Sequence, residues 1–148
     1  MSVLVTDAGF SVDDWKNNGG LFVDLEKFGQ DVAEKIPENT CLDIPNDVSA
    51  DSLIGLFENV AMIRIPFPSF ADGRGFSLAQ RLRDIGFEGR LRAVGHILAD
   101  QYGFARVCGF DEVEIDEALA IRQPEQQWLA RTPNPETSYQ HKWLGTRA

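Results

Sequence analysis

The sequence predicts an α/β fold. Its parallel βαβαβαβ sheet would carry helices mainly on one face, as in half of a (β/α) barrel. Three observations lead there. From residue 41 to residue 115, short β-rich runs alternate with helical patterns, an order that calls for parallel strands joined by right-handed crossovers. Within each run one parity is apolar and the other polar or charged, whereas strands covered by helices on both faces read as nearly continuous apolar runs. Glycines stand where helices should stop, at Gly86 and Gly109. A doubly wound three-layer sheet is the alternative fold.

Val3-Leu4-Val5 and Leu21-Phe22-Val23-Asp24-Leu25 have strand character, and the turn-forming Asn17-Asn18-Gly19-Gly20 between them suggests a hairpin-like lead-in. Gln30 to Ile36 is expected as a short helix closed by Pro37. Cys41 to Ile44 is a strand. A helix capped by Asn46 or Ser49 then runs to about Asn59, with Val48, Leu53, Leu56 and Phe57 as its apolar stripe. Ala61 to Phe67 is the next strand, followed by the loop 68–75 and a helix capped by Ser77 that runs through Ile85. Arg90 to Ile97 is a strand, Leu98 to Cys108 a helix and Asp111 to Ile115 the last strand. From Asp116 the chain reads as helical, loosening at residues 131–135. One domain is expected over 1–148: a lead-in (1–40), a βα core (41–115) and a C-terminal helix and tail (116–148).

The parity split is the most informative pattern. Leu42 and Ile44, Ile63, Ile65 and Phe67, Leu91, Ala93 and Ile97, and Val113 and Ile115 form the apolar set. Cys41, Asp43, Arg64, Arg90, Arg92, His96, Glu112, Glu114 and Asp116 form the polar set, since successive side chains alternate faces. With strands in sequential order, Asp43, Arg64, Arg92 and Glu114 would make a row of alternating charge that satisfies itself. A solvated or ion-paired layer is the plainer reading of that row, and a reactive surface the sharper one.

Bulk properties narrow the function. A chain of 148 residues with 43% hydrophobic content supports one real core. The net charge of −9 argues against nonspecific nucleic-acid binding, because phosphates are repelled. Two cysteines without a CxxC pair are not a secreted disulfide framework. With no signal-like start and no membrane-length apolar run, the cytoplasm is the expected location.

The stretch Phe67-Pro68-Ser69-Phe70-Ala71-Asp72-Gly73-Arg74-Gly75-Phe76-Ser77, followed by Leu82-Arg83, resembles the signature of the domain-of-unknown-function 934 family. The likeness continues through Gly86-Phe87-Glu88-Gly89, Leu91 to Gly95, Asp100-Gln101 and Arg106 to Asp111, and Tyr139-Gln140 looks like the family's usual ending. It is clear over residues 60–115. The chain departs at His96, where the family usually has Asp, and in a longer C-terminal end. The resemblance implies an accessory role in assimilatory sulfate or sulfite reduction, since members tend to be encoded beside sulfite reductase. Such a protein would bind pathway components or a second copy of itself. Some members carry the label probable oxidoreductase, without chemistry that transfers to residues here.

Candidate chemistry centres on two βα turns. Asp72, Gly73, Arg74 and Gly75 follow a parallel strand, where α/β folds place ligands. The glycines would permit unusual backbone angles, the helix start near Ser77 would offer free N–H groups, and Arg74 would grip a small oxyanion bidentately. A tight turn pinned by Asp72 and Arg74 is the competing reading. His96, at the end of the next strand, would share the same rim and can exchange protons near neutrality. A hydrogen-bonded structural role is the commoner fate of a lone histidine. Arg64, Arg92 and Asp100 complete the expected binding set, with Asp72 and His96 as catalytic candidates. Asp100 and Gln101 would cap the following helix or orient His96. Trp128, Tyr139 and Trp143 are expected to dock back or to anchor a partner. Walker, Rossmann and Ser-His-Asp patterns and zinc-ligand spacing are absent, so the sequence names no cofactor and no metal.

Overall fold

The computed structural model describes residues 2–17, 20–25 and 36–132. The strands are β1 (Ser2–Thr6), β2 (Gly9–Ser11), β3 (Leu21–Asp24), β4 (Thr40–Asp43), β5 (Val60–Phe67), β6 (Arg90–Gly95) and β7 (Glu112–Asp116). The helices are α1 (Asp14–Asn17), α2 (Arg74–Asp84), α3 (Tyr102–Cys108), α4 (Glu117–Arg122) and α5 (Glu125–Leu129). Two 3-10 segments, Ala50–Asn59 and Ala99–Gln101, precede β5 and α3.

The strands form one seven-stranded sheet in the order β2-β1-β7-β6-β5-β4-β3. Strands β3 to β7 are parallel and sequential, while β1 joins β7 and β2 antiparallel. Sequential parallel strands with right-handed crossovers put every crossover on the same face. The apolar parity set lies wholly within the hydrophobic core, packed against Leu53 and Leu56 of the first 3-10 segment, Phe76, Leu78, Ala79 and Leu82 of α2, and Tyr102 and Ala105 of α3. The one-faced architecture is the one read from the strand parities, and the doubly wound alternative is set aside.

Several local expectations are corrected. The segment before β5 is a 3-10 helix, and its buried residues Ala50, Leu53 and Leu56 recur every third position, which suits three residues per turn. Helix α2 begins at Arg74 with Gly73 as its N-cap, so Ser77 sits one turn inside it, exposed, and caps nothing. Its end is as expected: Gly86 adopts φ +105 just beyond the last turn, and Gly109 does the same after α3 with φ +112. The lead-in strands do not pair with each other. β1 forms its hairpin with β2, whereas β3 lies at the opposite edge, parallel to β4. Trp128 is buried in α5, donating from Nε1 to the Gln123 carbonyl at 2.8 Å, with its ring set edge-on to Tyr102. The expected helix before Pro37, the loosening after Thr132, and Tyr139, Gln140, His141 and Trp143 fall outside the described residues, except that Ile36 is buried in the core.

The chain leaves β2 at one sheet edge and re-enters β3 at the other. The crossing runs over the polar face, because Asp13 and Asp14 bind arginines that project from it. α1 therefore forms a strap across that face.

Candidate functional site

Two layers share the polar face. Near the N-terminal ends of the parallel strands, Arg92 is completely buried. Its guanidinium meets Glu112 at 2.6 Å, Glu114 at 2.9 Å, Asp13 at 3.0 Å and Asp14 at 3.1 Å. Arg90 beside it pairs with Glu112 at 2.7 Å and Asp14 at 3.0 Å. A buried cation is tolerated only when paired and hydrogen-bonded in this way. Burial disfavours the ionised Asp14 carboxyl, but the hydrogen bond and charge of Arg90, with the charge of Arg92, outweigh it and hold Asp14 below the ordinary carboxylate range. Cys41 is buried on the same face, and desolvation, reinforced by Asp43, pushes its thiol up to about 12. It is not a thiolate nucleophile at neutral pH.

Toward the C-terminal ends of the strands the face opens. Arg64 binds Asp43 through Nε and Nη2 and Glu114 through Nη1, and its guanidinium lies 4.5 Å from the Phe22 ring centre. The register places Asp24, Asp43, Arg64 and Arg92 in one cross-strand row, with Glu112 opposite Arg92 and Glu114 two residues further along β7. Two open cavities lie here. One, of about 270 Å³, is lined by Asp24, Asp43, Ile44, Pro45, Arg64, Pro66 and Val94. The other, of about 360 Å³, is lined by Val94 again and by Ser2, Phe70, His96, Glu114, Asp116 and Arg122 among others. Val94 lines both, so they lie side by side along the strand ends and together form the groove considered below.

His96 stands in that groove, exposed, with its backbone N–H donating to the Phe67 carbonyl at 2.9 Å. The ring of Phe70 packs edge-on against the imidazole, 5.0 Å between centres. The loop after β5 and the turn after β6 thus meet at one edge of the sheet. Gln101 does not orient His96. Its Oε1 accepts from Leu98 N at 2.8 Å, and its Nε2 donates to the Phe70 carbonyl at 3.3 Å. Asp100 faces away from the groove and pairs with Arg131 at 2.9 Å.

The Asp72–Gly75 loop has a different geometry from the one expected. Neither glycine adopts a positive φ: Gly73 has φ −95, and Gly75 is helical. Gly75 is needed for packing, since a Cβ there would stand 2.5 Å from the Phe67 ring. The Asp72 carboxylate accepts from Arg74 N and Nε at 3.1 Å, from Arg74 Nη2 at 2.9 Å and from Asn46 Nδ2 at 3.0 Å. The side-chain and backbone hydrogen bonds from Arg74 hold Asp72 far below the usual carboxylate range. The helix start and the guanidinium thus already bind an anion, the protein's own, which an external oxyanion would have to displace. Asp72, Gly73, Arg74, Gly75 and Ser77 line neither cavity; of the neighbouring loop, Phe70 does.

Of the expected residues, the structure brings Arg64 and His96 to the groove and buries Arg92 beneath it. The parity reading had already put Asp43, Glu114 and Asp116 on this face. It missed Ser2, Asp24 and Arg122, which come from β1, the edge strand β3 and helix α4. Only the register of Ser2 with Asp116 and of Asp24 with Asp43 brings the first two in, and a single sequence carries no signal for either pairing. Among the described residues, no group of three or more His, Cys, Asp or Glu is arranged to hold a metal ion, and no helix is long and apolar enough to cross a membrane.

Comparison with curated proteins and with solved structures returned no match. The signature around Asp72–Gly75, the arginine that follows it at position 83 and the strand–helix order all lie within residues 41–148, over which a family model matches. The chain belongs to that family, described as bacterial protein of unknown function (DUF934).

Proposed function

We propose that this protein binds a small, positively charged, hydrogen-bond-donating molecule in the groove at the C-terminal ends of its parallel strands. The carrying observation is the convergence of two open cavities, about 270 and 360 Å³, on the polar side of those strand ends. This is where α/β proteins place ligands, and the volumes suit a metabolite. Charge sets the class. Four carboxylates, Asp24, Asp43, Glu114 and Asp116, line the groove against two guanidiniums, Arg64 and Arg122. Arg64 engages Asp43 and Glu114, and Arg92 beneath engages Glu114 as well, so those carboxylates are partnered while the lining stays net negative. The balance is acidic and rich in acceptors, so it favours cations over oxyanions.

The family resemblance adds a context, an accessory role in sulfate or sulfite assimilation beside a partner or a second copy. Nothing in the groove's chemistry requires it, so sulfate and sulfite belong in the same screen. The test is a thermal-shift panel of small ammonium and guanidinium compounds, sulfate, sulfite and phosphate, followed by amide chemical-shift mapping of the full chain. Cations should raise the melting temperature and move Val94, His96 and Glu114. Stabilisation by oxyanions alone, with shifts confined to residues 72–77, would falsify the groove and favour the loop.

A further inference from the structure

The end of β6 is built to hold one imidazole in one orientation. Gly95 has φ +113, and a Cβ there would stand 2.8 Å from the Phe67 carbonyl oxygen, a backbone atom that cannot step aside. That turn brings His96 onto the same carbonyl twice, through its backbone N–H at 2.9 Å and through ring Nδ1 at 3.2 Å. A carbonyl oxygen only accepts, so Nδ1 must carry the proton, and in the neutral ring Nε2 is then a bare acceptor. The edge-on Phe70 ring restricts rotation of the imidazole.

The remaining surroundings of His96 are those of the larger cavity. Glu114 is bound by Arg64 and Arg92. Asp116 accepts from Leu119 N at 2.7 Å through Oδ1. Arg122 and Ser2 complete the polar lining. We propose that His96 sets the specificity of the groove: its Nε2 accepts a hydrogen bond from an ammonium group of the ligand, beside the Glu114 and Asp116 carboxylates. This inference rests on the groove being the ligand site. Its distinctive consequence is a demand for N–H donors. A quaternary ammonium group keeps the charge that carboxylates attract but offers no N–H to Nε2.

The experiment uses the full-length ¹⁵N-labelled chain and putrescine, a diammonium probe. Long-range ¹H–¹⁵N spectra near pH 8 should show the His96 ring protonated at Nδ1 and bare at Nε2. Putrescine should then shift Nε2 together with the amides of residues 94–97, and should bind about tenfold or more tighter than its permethylated bis-quaternary analogue. His96→Leu, which removes the acceptor, should narrow that difference. An Nε2-protonated tautomer, or binding in the groove that leaves the His96 ring unmoved and is equally strong for both probes, overturns the role of His96 while leaving the groove standing. Absence of any groove shift with every cation tested overturns both.

Discussion

At the scale of single residues, Arg83 shows how a signature position can be structural. It lies on α2 with its side chain 6% exposed. Its Nε and Nη2 donate to the Gly109 carbonyl, its Nη1 to the carbonyls of Phe87 and Gly89, and its Nη2 also reaches Asp111 at 2.9 Å. One guanidinium therefore satisfies the backbone of the two loops that lead into β6 and β7. Each buried carbonyl left without a donor costs ~1–3 kcal/mol. Arg83→Ala should lower the unfolding free energy by about 3 kcal/mol or more. Arg83→Lys should recover only part of this, because a single ammonium cannot span both loops. Urea denaturation measures both, and an Arg83→Lys protein as stable as the parent would show that charge alone suffices. Gly75 is similar: its lack of a side chain serves the ring of Phe67, not a ligand. The spacing of the signature was legible in the sequence, but its purpose was not, since the groups that Arg83 and Gly75 serve lie in other elements.

At the scale of elements, α1 acts as a clasp. Its Asp14, with the preceding Asp13, reaches Arg90 and Arg92 on β6. Trp15 closes the strap by donating from Nε1 to the Leu21 carbonyl at 3.0 Å. Beneath the same face, Cys41 sits opposite Met62 and Phe22 in the sheet register. Loosening the strap should expose this thiol before it exposes Cys108, which lies in the core on the other face. We predict that Asp13→Asn combined with Asp14→Asn speeds labelling of Cys41 by a thiol reagent and leaves Cys108 unchanged. In the parent both thiols should react slowly under native conditions, because desolvation pushes them up to about 12 and about 11. Equal acceleration of both cysteines would point to global unfolding, and no acceleration would mean that the strap does not guard Cys41.

For the whole molecule, acid should be more damaging than mild alkali. Asp72 is held below the ordinary carboxylate range by Arg74, and Asp14 is likewise held low by Arg90 and Arg92 against the cost of its burial. A carboxyl whose folded value is depressed contributes stability that is present above its unfolded value, near 4, and is lost as pH falls toward the folded value. The melting temperature should therefore vary little on account of these groups from about pH 5 to pH 8 and drop below about pH 4. Asp14→Asn should lessen that acid slope. An unchanged slope would show that the carboxyls responsible lie elsewhere.

The chain's local chemistry was enough to specify the parallel core strands, their apolar and charged faces, and the helix stops at Gly86 and Gly109. Alternation every second residue and the freedom of glycine at positive φ are properties of a few neighbouring residues. The edges of the sheet, the strap and the floor of the groove required the folded chain. Arg92 meets Asp13 across 79 positions, and Arg64 meets Glu114 across 50. Such pairs are chosen by how the strands and the strap come together to satisfy buried charge, and no short-range pattern encodes which carboxylate will be within reach.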